Sequence, residues 1–215
     1  MKNKIQVYLA GGMFCEADRM YNALLAEKIR ERVGSYIDLY VPQENQSIND
    51  KTKCANSHDI FWGDYNRLQN CDIFIARIDG DIPPSGTSAE IGIMSQRRQS
   101  WDKDTIPPMI LGLCTDSRNP KRTYLEAKNE LMKNEDYESQ YCYFNLFTLG
   151  CIKVNGELAT SIDELVDKLE AAVKMRIGER KEVQRTCEGR FWSVPKQKYD
   201  VMYKVVYSDG SIEII

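Results

Sequence analysis

Along most of the chain, short runs of apolar, often β-branched residues alternate with longer stretches in which apolar residues recur every three or four positions. Ile5 to Ala10 is the first run, and it stops at Gly11-Gly12. Ala17 to Val33 carries Met20, Leu24, Leu25 and Ile29 at the spacing of one helix face and ends near Gly34. Ile37 to Val41 is a second run, halted by Pro42-Gln43-Glu44-Asn45-Gln46, and Ser47 to Ser57 reads as a polar loop poor in helix. A helix over Asp59 to Gln69 leads to Asp72–Ile78, a run of the kind a parallel sheet buries on both faces. Gly80, Pro83 and Pro84 cannot continue a strand, and Thr87 opens a helix with Ile91, Ile93 and Met94. After polar Gln96 to Asp104, Met109 to Cys114 reads as a fourth strand and Asn119 to Glu135 as a charged helical region. An aromatic segment, Tyr141 to Leu149, precedes a fifth strand at Cys151 to Val154. The helix Ser161 to Ile177 follows, with Ile162, Leu165, Leu169 and Val173 facing inward.

Strands that alternate with helices predict an α/β fold, a flavodoxin-like doubly wound five-stranded parallel sheet. The rhythm changes at Gly178: Arg180 to Lys198 is charged and irregular, and Tyr199 to Tyr207 and Ile212 to Ile215 flank Ser208-Asp209-Gly210-Ser211 as a β-hairpin with an Asp-Gly turn. The expected plan is an α/β domain over residues 1–177 and a C-terminal extension over 178–215 with a probable hairpin, either a sheet extension or an oligomer arm.

Charge and rare residues narrow the chemistry. Lys and Arg number 29 against 32 Asp and Glu, a net charge of −3, so no basic field is available for a nucleic-acid backbone. No apolar stretch approaches the roughly 18 residues of a membrane span, and Met1-Lys2-Asn3-Lys4 is unlike a signal peptide. A soluble, cytoplasmic protein is expected. Seven cysteines without a C-x-x-C pair indicate neither a disulfide framework nor a zinc site, and the single histidine, His58, excludes multi-histidine metal centres. No metal and no cofactor is expected, and carboxylates must carry acid–base chemistry.

One carboxylate stands out. Glu90 lies just beyond the third run, at the carboxyl edge of the sheet, where open α/β folds bind ligands. Thr87-x-x-Glu90 also has the form of a capping box, in which the glutamate would only satisfy a backbone N–H. Gly11 and Gly12, at the end of the first run, allow a ligand close to the backbone.

Four separated segments are similar, in order and spacing, to the nucleoside 2-deoxyribosyltransferases. They are Tyr8-Leu9-Ala10-Gly11-Gly12-Met13-Phe14, Val41-Pro42-Gln43-Glu44-Asn45-Gln46, Gly86-Thr87-Ser88-Ala89-Glu90-Ile91-Gly92 and Phe144-Asn145-Leu146. The resemblance covers residues 1 to about 175. It implies that Glu90 is a nucleophile toward C1′ of a 2′-deoxynucleoside, with Tyr8 orienting it and Asp64 near the sugar. It implies that Gly11, Gly12, Met13, Phe14, Asn45, Gln46 and Gly86 bind substrate, and that Asn145 is lent to the 5′-hydroxyl by a neighbouring subunit. The substrates would be a 2′-deoxynucleoside and a free nucleobase, in nucleotide salvage. The active unit would be a homo-oligomer, dimer to hexamer, with shared sites.

One position departs from the pattern. The family usually has an aspartate six residues before the nucleophile to handle the base's proton, and here that position is Pro84; Asp79 or Asp81 on the same loop could replace it. Two rival readings accompany this expectation. An N-glycoside hydrolase of nucleoside 5′-monophosphates is favoured by Ser85 and Ser88 and opposed by Asn145, and a catalytically inactive nucleotide-binding sensor is opposed by the joint presence of Tyr8, Glu90 and Asn145.

Overall fold

Strand β1 (Ile5–Ala10) is the second strand of a five-stranded sheet, and every neighbour runs parallel to it or to the next strand along. The computed structural model describes residues 4–50, 52, 55–80, 82–101, 106–116, 145–178, 182–193, 198–207 and 212–214, the last three ranges as backbone. These residues fall into two compact units, one spanning Ile5–Glu170 and one running from Ala171 through the C-terminal strands. After β1 come α1 (Glu16–Val33), β2 (Ile37–Tyr40), a 3₁₀ turn (Pro42–Glu44), α2 (Gln46–Asn49), α3 (Ser57–Gln69), β3 (Ile73–Arg77) and α4 (Ser85–Gln99). Then follow β4 (Met109–Leu113), α5 (Leu146–Asn155), β5 (Gly156–Ala159) and α6 (Ile162–Gly178).

The sheet order is β2-β1-β3-β4-β5, the flavodoxin-like doubly wound arrangement expected from the sequence. Such a sheet is covered by helices on both faces, so its central strands have no polar side: Ile73, Phe74, Ile75 and Ala76 of β3 are all fully buried. The order reverses between β1 and β3, and in this class of fold ligands bind beyond the carboxyl ends of the strands at that point. In register there, Tyr8 is the Cα partner of both Tyr40 on β2 and Phe74 on β3.

Several expectations need correction. Cys151–Val154 is not a strand but the end of α5, and the fifth strand is Gly156–Ala159. Asn145 caps α5 by accepting from the Thr148 N–H at 3.0 Å, and Thr148, Leu149, Ile152 and Asn155 place their buried side chains at helical intervals. Gly156 then enters the sheet so tightly that a Cβ there would lie 1.8 Å from the Ile110 carbonyl oxygen. The β-branched pair Ile152 and Val154 suggested a strand, but capping and packing decided for a helix.

Helix α1 is rolled relative to its expected face. Its buried stripe is Asn22, Leu25, Ala26, Ile29 and Val33, leaving Met20 and Leu24 67% and 44% exposed. A polar residue, Asn22, belongs to the buried face because its amide donates to the Gly12 carbonyl and to Gln43 Oε1, at 2.9 and 3.0 Å. The segment Ser47 to Ser57 holds most of α2 and is not purely loop, and α4 runs on to Gln99 through residues read as a polar connector. Of the closing helix, Leu165, Leu169 and Val173 are buried and Ile162 is half-buried. The helical region expected at Asn119 to Glu135 and the aromatic residues Tyr141 to Phe144 lie outside the described residues.

In the C-terminal unit, β6 (Glu182–Ser193), β7 (Lys198–Tyr207) and β8 (Ile212–Ile214) form an antiparallel sheet in that order. The stretch read as irregular thus contains a long strand, broken in register between Cys187 and Gly189. The Asp-Gly turn lies outside the described residues.

Candidate active site

Tyr8 stands near the end of β1 with its ring buried between Tyr40 and Phe74, at centroid distances of 5.0 and 5.4 Å. Its hydroxyl reaches past the strand end and donates to Glu90 Oε1 at 2.6 Å. Phe74 supplies an apolar floor and Tyr40 a wall, so the phenol has little freedom to turn elsewhere.

The capping-box reading of Glu90 does not survive. Helix α4 begins at Ser85, with Pro84 as its N-cap residue and no side-chain cap; the first helical bond runs from Ser88 N–H to the Pro84 carbonyl at 2.9 Å. Proline fixes its own φ and so starts the helix two residues before Thr87. Thr87 is therefore a buried first-turn residue, and Glu90 sits in the second turn, where no orphan N–H awaits it.

Burial is the main force on Glu90 and pushes its carboxyl up to about 7; the Tyr8 hydrogen bond pulls the other way, and the negative charge of Asp64 pushes further up. Asp64, half-buried on α3, is also raised by burial, against the hydrogen bond from Tyr40 and the nearby Tyr8 hydroxyl. Burial and the two carboxylates hold the Tyr8 phenol far above its usual range, so it remains a donor. Tyr40 is likewise raised, chiefly by burial.

Asp64 Oδ1 accepts from the Tyr40 hydroxyl at 2.7 Å, and that same hydroxyl oxygen accepts from Asn45 Nδ2 at 2.9 Å. Four residues named from the sequence, Tyr8, Asn45, Asp64 and Glu90, therefore meet in one cluster through Tyr40, which sequence reasoning missed. A signal existed: Tyr40 stands next to last in the second apolar run, ahead of the polar Pro42–Gln46 cluster, as Tyr8 precedes Gly11-Gly12.

Gly11 and Gly12 rest on a second cluster. Arg77, the last residue of β3 and 7% exposed, donates from Nη2 to the Gly12 carbonyl at 2.9 Å and to Asp18 Oδ1 at 2.5 Å. A Cβ on Gly11 would come within 3.1 Å of the Arg77 guanidinium, and one on Gly12 within 2.9 Å of Asp18. A larger residue would displace Arg77 at the first of these positions and Asp18 at the second. Met13 is half-buried and Phe14 87% exposed. Gln46 is exposed at the start of α2, and Gly86 is exposed in the first turn of α4 with no atom within 4 Å of where a Cβ would stand.

The remaining named residues are engaged elsewhere. Asp79 accepts from the Thr115 backbone N–H at 2.5 Å and from its hydroxyl at 3.0 Å, tying together the loops after β3 and β4. Between them and α4, Gly80 takes a φ of +111°, open only to glycine at little cost. Asp81 lies outside the described residues. Asn145 is exposed at the N-terminus of α5, where its side-chain oxygen serves as the cap. Among the described residues no three His, Cys, Asp or Glu side chains gather to hold a metal ion, and no helix is long and apolar enough to cross a membrane.

A family model described as nucleoside 2-deoxyribosyltransferase matches residues 7–147. Among solved structures, the chain is similar to a conserved protein from Enterococcus faecalis V583, with TM-score 0.60 and 35% identity over 80% of this chain and 99% of that one. It also aligns with a 2-desoxiribosyltransferase from Leishmania mexicana, with TM-score 0.48 and 17% identity over 79% of this chain and 97% of that one. No curated protein gives a significant sequence match.

Burial of Glu90 makes a thermodynamic prediction. A carboxyl raised from 4.5 to about 7 stabilises the fold while protonated; that contribution is complete below about 4.5 and is lost as pH rises through about 7. In urea denaturation, Glu90→Gln should therefore match the wild type near pH 4.5 and gain on it steadily up to about pH 8. A constant difference across that range would show that the carboxyl titrates normally.

Proposed function

Because the chain belongs to the nucleoside 2-deoxyribosyltransferase family, we propose that it exchanges the base of a 2′-deoxynucleoside through a covalent deoxyribosyl ester of Glu90. The observation that carries this reading is the 2.6 Å bond from Tyr8 to a Glu90 carboxylate that caps nothing and opens onto the switch point of the sheet. A Glu90 oxygen attacks C1′ as the C1′–N bond breaks, and the base departs with the bonding electrons and gains a proton. A second base then attacks C1′ through nitrogen, expels the Glu90 carboxylate and gives up a proton. Two inversions at C1′ restore the original configuration. The sugar lacks a 2′-hydroxyl, which eases positive charge at C1′.

The burial that raises Glu90 also makes it a more basic nucleophile. The Tyr8 hydrogen bond does the opposite and improves the carboxylate as the leaving group in the second step. Asp64 lies beside the sugar, and Gly11, Gly12, Met13, Phe14, Gln46 and Gly86 border the substrate. No cofactor is required, and the setting is nucleotide salvage in the cytoplasm. Incubation with thymidine or deoxyadenosine and a second free base, followed by chromatography, tests the reaction: a second deoxynucleoside supports transfer, whereas free deoxyribose makes water the acceptor. Glu90→Ala should lose most of the turnover and keep the fold, since no cap is lost; retention of more than about a tenth of wild-type turnover would remove Glu90 as nucleophile.

For the departing base, Pro84 leaves Asp79 and Asp81 as the candidate proton donors. Both Asp79 oxygens accept from Thr115 and serve as a loop tie, so Asp81 is taken as the proton donor. Asp81→Asn should slow transfer and displace the pH profile of kcat, whereas Asp79→Asn should lower thermal stability with the profile in place. The reverse pattern would return the proton to Asp79.

Asn145 completes the site from an adjacent subunit, placing the 5′-hydroxyl of the sugar. Mixed reassembly of inactive Glu90→Ala and inactive Asn145→Ala chains should restore activity, because some sites would draw the glutamate from one chain and the asparagine from the other. A monomer in sedimentation with full activity is incompatible with this arrangement.

A further inference from the structure

Hydrogen-bond direction around Tyr40 is determined at every link. The Ser47 backbone N–H can only donate, and it does so to Asn45 Oδ1 at 3.1 Å, with the Ser47 hydroxyl joining at 2.6 Å. Oδ1 is thereby the acceptor end of the amide, and Nδ2 is left to donate to the Tyr40 oxygen at 2.9 Å. A phenol that accepts from an amide still has one proton to give, and Tyr40 gives it to Asp64 Oδ1 at 2.7 Å. Across the strand pair, Tyr8 gives its single proton to Glu90 Oε1 at 2.6 Å. The two tyrosines are Cα partners with rings 5.0 Å apart, so two phenol–carboxylate pairs stand side by side.

We infer that Tyr40 is a positioning residue that holds Asp64 and thereby reserves the one proton of Tyr8 for Glu90, and that Asn45 serves Tyr40 rather than contacting the nucleobase. This rests on the reading of Glu90 as nucleophile. Asp64 lies close enough to Tyr8 for the two to interact. Without the Tyr40 hydroxyl, the half-buried Asp64 carboxylate would have Tyr8 as its remaining phenolic donor and would compete for it with Glu90. Charged and titratable groups reach this cluster from each element around it: Tyr8 from β1, Tyr40 from β2, Asp64 and Arg67 from α3 and Glu90 from α4. Arg67 packs over the Tyr40 ring at 5.0 Å and pairs with Asp38 at 3.4 Å, so it adds positive charge without replacing the hydroxyl.

The first readout needs no substrate. Side-chain carboxyl ¹³C titration of the free protein should show the Asp64 midpoint rising by about one unit in Tyr40→Phe, which keeps the ring stack, and by less in Asn45→Ala. The double variant should match Tyr40→Phe alone, because Asn45 acts only through Tyr40. In exchange assays both variants should lower kcat, Tyr40→Phe by about tenfold or more, and leave the ratio of kcat/KM between two acceptor bases unchanged. An unmoved Asp64 midpoint in Tyr40→Phe, or an altered base ratio in Asn45→Ala, would overturn the inference. Should Tyr40→Phe fail to fold, Asn45→Ala retains every ring and reads the same chain one link earlier. Absence of exchange by the wild type would sink the proposed function and leave the titration result standing.

Discussion

A phenol and a carboxylate 82 residues apart in sequence meet at 2.6 Å, and most of what surrounds them serves that meeting. Tyr8 can reach Glu90 only because β1 and β3 are adjacent and parallel, so that the helix following β3 begins beside the end of β1. A one-residue slip in that register would turn Tyr8 to the opposite face of the sheet and separate the pair. The fully buried β3 and the aromatic contacts of Tyr8 with Tyr40 and Phe74 hold the register.

Two half-buried carboxylates in one cluster create an electrostatic problem. Desolvation favours protonation of both Asp64 and Glu90, the charge of Asp64 raises Glu90 further, and each is opposed by a tyrosine donor. The arrangement leaves Glu90 poised near neutrality rather than locked in one protonation state. A carboxylate at that balance can attack an electron-poor carbon and later leave it, as a double displacement requires.

The glycine end of β1 is organised by a different rule. There a buried arginine and a buried asparagine take the Gly12 carbonyl as a common acceptor, and Asp18 neutralises the arginine. A buried guanidinium is costly unless paired, so Arg77 and Asp18 are best viewed as one unit that sets the path of the loop. The proposed base-binding residues Met13 and Phe14 inherit their positions from it. Asp79 plays a comparable part on the other side of β3, joining two loops through Thr115.

Apolar periodicity is a local property, and it was enough to read four of the five strands, the long helices and the doubly wound order from the sequence. It failed where packing or capping outweighed local preference. The Cys151–Val154 run became helix because Asn145 caps it and its neighbours bury a helical stripe, and α1 rolled because a polar Asn22 found partners inside. Glu90 was visible in its motif, but the same motif suggested a cap, and only the start of α4 at Ser85 separates the two roles. Tyr40 carried no chemistry of its own in the sequence, since a strand-end tyrosine acquires meaning only from what stands opposite it. The sequence by itself determined which groups can ionise, donate or accept; tertiary structure decided which of them face one another, because hydrogen-bond partners and desolvation are set by distances between segments far apart in the chain.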